Sequence, residues 1–157
     1  MDCERYRELY ETFTIFPVPK DILDTPEFDE WNDHFHRCRS CSDWSMQIQL
    51  IRRNVLANEF PCIYMAYYAT QTCDEHCDLR ECTKSVVLRT SKFYEYFVSP
   101  RGSTGDDIVI KHCPWCGIKL PDSKRNLWFE KIEALGLDPW SDEIPDEYQS
   151  DKWFRDH

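Results

Sequence analysis

The chain has 157 residues and a formal charge of −10, with 15% aromatic residues and nine cysteines. Length alone sets an expectation of one domain, or two if the first third packs separately. No apolar run approaches the roughly 18 residues of a membrane span and the first residues form no apolar signal segment, so a cytoplasmic protein is expected. An odd cysteine count with close CxxC pairs favours metal ligation in a reducing compartment over a disulfide framework.

The charge is uneven. Residues 1–36 hold ten acids against three bases, residues 37–120 nine against eleven, and residues 121–157 ten against five. Acidic ends disfavour a free-standing nucleic-acid binder, which needs clustered Lys and Arg to displace counterions. They suit a basic protein partner through complementary potential, or they serve solubility alone.

In chain order, Tyr6, Leu9, Tyr10 and Phe13 form an i, i+3, i+4, i+7 stripe that predicts one helix over 2–13, ended by Pro17 and Pro19. Thr25-Pro26 is a cap followed by a first-turn proline, and it opens a second helix that buries Phe28, Trp31 and Phe35. Ser42 or Asp43 is expected to cap a third helix with Trp44, Ile48, Ile51 and Val55 on one side. From residue 58 the composition turns β-branched and aromatic. Segments 62–70, 85–89, 93–98 and 106–112 read as strands of a small, mostly antiparallel sheet. Ser123 is placed to cap a last helix with Trp128, Ile132 and Leu135 inward, and Gly136 to end it in the left-handed conformation. Residues 137–151, with six acids, no base, Pro139 and Pro145, should form an irregular tail. The fold class is therefore α+β, with a helical N-terminal extension over 1–57 and a second module over 58–157.

Cys113-Pro-Trp-Cys116-Gly117 is the most specific local signal, because two thiolates two residues apart can grip one zinc ion while the glycine permits the tight turn. A redox CxxC would ordinarily open a helix, whereas here a strand precedes the motif and Pro121 follows it. The remaining ligands stay open. Cys62 and Cys82 could complete the site within the sheet, or Cys38 and Cys41 could clamp the helical segment onto it. Cys73, His76, Cys77 and Cys82 could hold a second ion, and Cys3 reads as a free or buried thiol. His34 and His36 read as structural, and His112 as a solvated strand-end residue. A zinc ion with every position filled by protein is closed to substrate, and no nucleotide, metalloprotease or hydrolase motif is present, so no enzyme is expected.

CPWCG at 113–117, LPDSKRNLWFEKIEALGLDPW at 120–140 and IPDEYQSDKWF at 144–154 together resemble the C-terminal signature of a family of small bacterial cysteine-rich proteins. A weaker likeness extends back through CDEHCDLREC at 73–82 to PCIYM at 61–65. The resemblance implies a zinc-ribbon-like fold, and some of these proteins resemble immunity proteins of polymorphic toxin systems. It favours zinc ligands inside the shared module over Cys38 and Cys41. The leading expectation is an immunity protein, or antitoxin, with structural zinc that covers the active cleft of a basic toxin domain. Asp142, Glu143, Asp146 and Glu147 are its candidate partner-binding residues, with the acidic outer faces of the N-terminal helices contributing. The alternative is a zinc-ribbon adaptor in transcription or RNA metabolism, which would need a basic face built from Arg37, Arg39, Arg52 and Arg53.

Overall fold

The computed structural model describes residues 1–15, 17–71, 86–98 and 107–155. The chain divides into two compact units, Met1–Leu56 and Ala57–His157.

In the first unit the opening stripe is buried as its spacing requires, but the helix breaks once. Asp2 caps α1 (Cys3–Glu8) by accepting from the Arg5 amide at 2.8 Å, and α2 (Tyr10–Phe13) follows across Leu9, whose amide donates to the Arg5 carbonyl at 3.2 Å and whose carbonyl accepts from Phe13 at 3.0 Å. The short α3 (Lys20–Leu23) begins after Pro19, and Thr25 caps α4 (Pro26–Arg37) through the Phe28 amide at 3.2 Å. Trp31 lies nearly parallel on Tyr6, with ring centroids 5.0 Å apart, and its indole N–H donates to the Tyr6 carbonyl at 3.0 Å. The third predicted helix starts earlier than its capping residues suggest. It is α5 (Arg39–Arg52), with Cys38 in extended conformation as the hinge after α4. Its inner face is Cys41, Ser45, Met46 and Leu50 rather than the predicted one, with Ile51 58% exposed and Ser45 bonded to the buried Tyr6 hydroxyl at 2.7 Å.

The second unit holds the sheet. A 3-10 turn (Ala57–Glu59) leads to α6 (Ile63–Ala69), where the composition predicted a strand. The reason is the period of burial. Met65, Ala66 and Ala69 face the core at helical spacing, and Tyr64 and Tyr68, one turn apart, both stack on Trp115. Strands β1 (Leu88–Thr90), β2 (Glu95–Val98) and β3 (Ile108–Val109) form an antiparallel sheet in that order, with Leu88 opposite Phe97 and Phe97 opposite Val109. Strands β2 and β3 fall inside the predicted segments 93–98 and 106–112, β1 overlaps 85–89 and runs one residue past it, and the architecture is α+β. Next comes α7 (Arg125–Ala134), which buries Trp128 and Ile132 but leaves Leu135 52% exposed, contrary to expectation, since Leu135 is already the helix cap. Gly136 ends the helix at φ +75°.

The tail after Gly136 contains a 3-10 turn (Asp146–Gln149) and ends in α8 (Lys152–Arg155). Two indole N–H groups pin it. Trp128 donates to the Tyr148 carbonyl at 2.9 Å, and Trp153, itself buried, donates to the Lys92 carbonyl at 2.8 Å. No described helix is long and apolar enough to cross a membrane.

One charged contact ties sheet to helix. Glu95 on β2 is only 5% exposed and receives two guanidinium bonds from Arg125 at 3.0 and 2.6 Å and the Ser123 hydroxyl at 2.6 Å. Burial alone would raise this carboxyl, but the bonds from Arg125 and Ser123 outweigh it and hold it below its ordinary 4.5. A depressed folded pKa gives stability that is present above about pH 4.5 and is lost as pH falls through the folded value. Arg125→Met should therefore cost about 1–3 kcal/mol at neutral pH, because Glu95 is left buried without its partner. In urea unfolding at stepped pH, the deficit should shrink below about pH 4.5. A deficit independent of pH would show that Arg125 acts through packing alone.

Candidate metal centres

The CPWCG segment forms a tight hairpin after β3. His112 pairs with Lys119 across it, the Leu120 amide donates to the Lys111 carbonyl at 2.9 Å, and the Cys113 amide to the Ile118 carbonyl at 2.9 Å. The Gly117 amide closes the turn onto the Cys113 carbonyl at 2.9 Å, and Gly117 has φ +72°, the conformation its place in the motif anticipates. Cys62, the residue before α6, brings its sulfur to 3.6 Å from that of Cys113. Cys62, Cys113 and Cys116 offer three sulfur atoms within 4.8 Å of one another, a set that could hold a metal ion. Tyr68 fixes the hairpin by lying flat on Trp115, with centroids 3.9 Å apart and planes 6° off parallel. Burial pushes the Cys62 thiol up to about 12, and Cys116 and Cys113 add to the shift. A cation between the three sulfurs would reverse that preference by stabilising thiolates.

A second set lies in the first unit. Cys38 and Cys41 gather with Cys3 and His34, again with donor atoms within 4.8 Å. Cys3 opens α1, His34 lies in the last turn of α4, Cys38 is the hinge residue, and Cys41 is in the first turn of α5. Cys3 and Cys38 sulfurs are 3.7 Å apart. The Cys41 amide and then the Cys3 thiol pull the Cys38 thiol below its ordinary value, whereas burial pushes Cys41 up to about 12. The sequence alone marks Cys3 as a free or buried thiol and His34 as structural, and the structure brings both to the CxxC pair. The signal that could have recruited His34 is its spacing of four residues before Cys38, one helical turn; nothing near Cys3 in sequence points to the cluster.

Cys73, His76, Cys77 and Cys82 lie outside the described residues. His112 and His36 are exposed. Of the arginines that a basic face would need, Arg37 pairs with Asp33 at 3.0 Å, Arg39 with Asp43 at 3.9 Å and Arg52 with Glu11, while Arg53 donates to the Gln49 carbonyl at 3.3 Å. The acidic candidates Asp142, Glu143, Asp146 and Glu147 are all exposed.

The hairpin makes a sharp test of its turn. A Cβ added at Gly117 would meet nothing within 4 Å, so the cost of Gly117→Ala is conformational. It should lower stability by about 1–2 kcal/mol in thermal unfolding, the price of a left-handed residue with a Cβ, and Gly117→Asn should lose less. A neutral alanine would mean that the hairpin relaxes to a different turn.

No curated protein and no solved structure matches the chain. The family model for a domain of unknown function, DUF6980, matches residues 59–156. That stretch contains the sheet, the CPWCG hairpin, Cys62 and the acidic tail, and it is more than half of the sequence: the chain belongs to the DUF6980 family.

Proposed function

We propose that the protein is a non-enzymatic immunity protein, an antitoxin that binds a basic bacterial toxin domain in the cytoplasm and covers its active cleft, with zinc as a structural element. The observation that carries this reading is Trp140. Its side chain is 85% exposed and it sits among Asp138, Asp142, Glu143, Asp146 and Glu147, all exposed, in a stretch without a base. The loop around it is held rather than slack. Asp138 accepts from the Trp140 amide at 2.9 Å and from the Ser141 hydroxyl at 2.9 Å, and its own amide donates to Asp142 at 2.7 Å. A large exposed aromatic residue on an ordered loop, flanked in sequence by acids alone, has the composition of an interface anchor. The acids supply long-range attraction for a positively charged cleft, and the indole supplies contact area once the surfaces meet. The other tail aromatics, Tyr148, Trp153 and Phe154, pack within the second unit and hold this surface in place.

Zinc suits the sulfur set. Four bonds of about 2.3 Å in a tetrahedron place neighbouring sulfurs about 3.8 Å apart, close to the Cys62–Cys113 separation of 3.6 Å. In the second unit Cys62, Cys113 and Cys116 supply three of the four positions and would tie α6 to the hairpin; a structural ion takes its fourth ligand from elsewhere in the chain. Cys113→Ser should therefore remove one zinc equivalent and the cooperative unfolding of that unit.

The binding claim is tested with the purified product of the adjacent gene as partner. Asp142→Lys, Glu143→Lys, Asp146→Lys and Glu147→Lys combined should slow association, most at low salt where screening is weak. Trp140→Ala should leave the association rate nearly unchanged and speed dissociation, with a loss of about 2 kcal/mol. All five side chains are exposed and none lies in the core, but Asp142 also holds the Asp138 amide, so the triple variant at Glu143, Asp146 and Glu147 separates lost charge from a loosened loop. Unchanged rates in both variants would remove the tail from the interface.

A further inference from the structure

We propose that the first unit carries a zinc site of its own, built by Cys3, His34, Cys38 and Cys41. It lies outside residues 59–156 and stands whether or not the tail binds a toxin.

Three observations converge on it. The four donor atoms come from three separate pieces of chain, the start of α1, the end of α4 and the α4–α5 hinge with the first turn of α5, yet they lie within 4.8 Å of one another. The 3.7 Å between Cys3 and Cys38 sulfurs is nearly the edge of about 3.8 Å that a tetrahedron of zinc–sulfur bonds requires. The third observation is the imidazole. His34 Nδ1 lies 3.0 Å from the Met1 carbonyl, which can only accept, so Nδ1 carries the proton and Nε2 presents its lone pair. That Nε2 is buried and has no hydrogen-bond partner. A buried lone pair without a donor is costly in a packed interior, whereas a histidine that donates one nitrogen to a carbonyl and turns the other towards a metal is the usual ligand arrangement.

The fold gives such a site a purpose. The helix α1 has six residues and α2 four, too short to persist alone. A unit of this size rarely stabilises itself on apolar burial without a staple. Zinc entering the site displaces three thiol protons to solvent and joins the first turn of α1 to the α4–α5 hinge, beside the Tyr6–Trp31 stack that His34 also touches, its ring 5.1 Å from that of Tyr6.

The experiment uses the full chain purified without chelator, with zinc counted by native mass spectrometry. Cys38→Ser with Cys41→Ser should carry one zinc fewer than the unaltered chain, and Cys113→Ser with Cys116→Ser should leave that zinc in place. His34→Ala should lose it, and His34→Cys should keep it as a four-thiolate site, a rescue that a merely packed histidine would not allow. Equal zinc content in the unaltered chain and the Cys38/Cys41 variant would overturn the proposal. Should these variants fail to fold, the unaltered chain decides. Cys3 is exposed and Cys38 half-buried, so both are open to iodoacetamide unless a metal holds them. Protection that a chelator releases supports the site; rapid alkylation before chelator, or protection released only by a reductant, contradicts it.

Discussion

In each unit one buried sulfur is gathered with less buried cysteines from other pieces of chain, and this convergence is the constraint that the surrounding packing must meet. Cys41 is fully buried in the aromatic core of the first unit, and Cys113 lies in the core of the second with Met65, Val87, Tyr96 and Leu120. A protonated thiol packs as a small hydrophobe, but a thiolate in the same place is costly unless a cation faces it. Each cluster can therefore serve as core and as donor set at once. The two uses place different demands on charge and the same demand on geometry, namely that distant pieces of chain converge.

In the second unit that convergence orders everything around it. Cys62 precedes a helix whose tyrosines stack on Trp115, so the hairpin, α6 and the sheet share one packed cluster. The neighbouring cluster of Trp128, Ile132 and Trp153 then fixes the chain that follows. Its indole N–H groups satisfy carbonyls of the tail and of the turn before β2, which allows an acidic segment to keep an ordered path while its carboxylates stay in water. Trp140 is left outward by this arrangement, and the surface proposed for partner binding owes its order to aromatic burial elsewhere.

Much of the fold is legible in the sequence because it follows local rules. Thr25-Pro26 starts a helix, Gly136 ends one, and the Cys113–Gly117 turn needs a left-handed glycine, and each requirement is met by the residue itself. The failures lie where tertiary packing decides. Residues 63–69 hold three tyrosines and one isoleucine, which read as strand, but Met65, Ala66 and Ala69 are good helix formers that share the buried face, and Trp115, distant in sequence, receives Tyr64 and Tyr68 on one helical side. The start of α5 is not legible because Cys38 acts as a hinge and makes no side-chain cap, and Ile51 lies off the buried face of Cys41, Ser45, Met46 and Leu50. For the sites, a pair spaced as CxxC is visible, whereas a ligand supplied by another element is not. Cys62, expected to complete the site from within the sheet, reaches the hairpin from the head of a helix; Cys3 and His34 come together with Cys38 and Cys41 only through the packing of α1 against α5 and of α4 against α5.

The zinc proposed for each unit would be held mainly by thiolates, with an imidazole in one of the two sites. X-ray absorption at the zinc edge of the full, unaltered chain tests this proposal most directly, because it reads ligand type and distance without a substitution. The expected spectrum has a dominant sulfur shell at about 2.3 Å and a smaller nitrogen shell at about 2.0–2.1 Å with the multiple scattering of a histidine ring. A spectrum of light atoms alone, or a folded protein that carries no zinc, would contradict it.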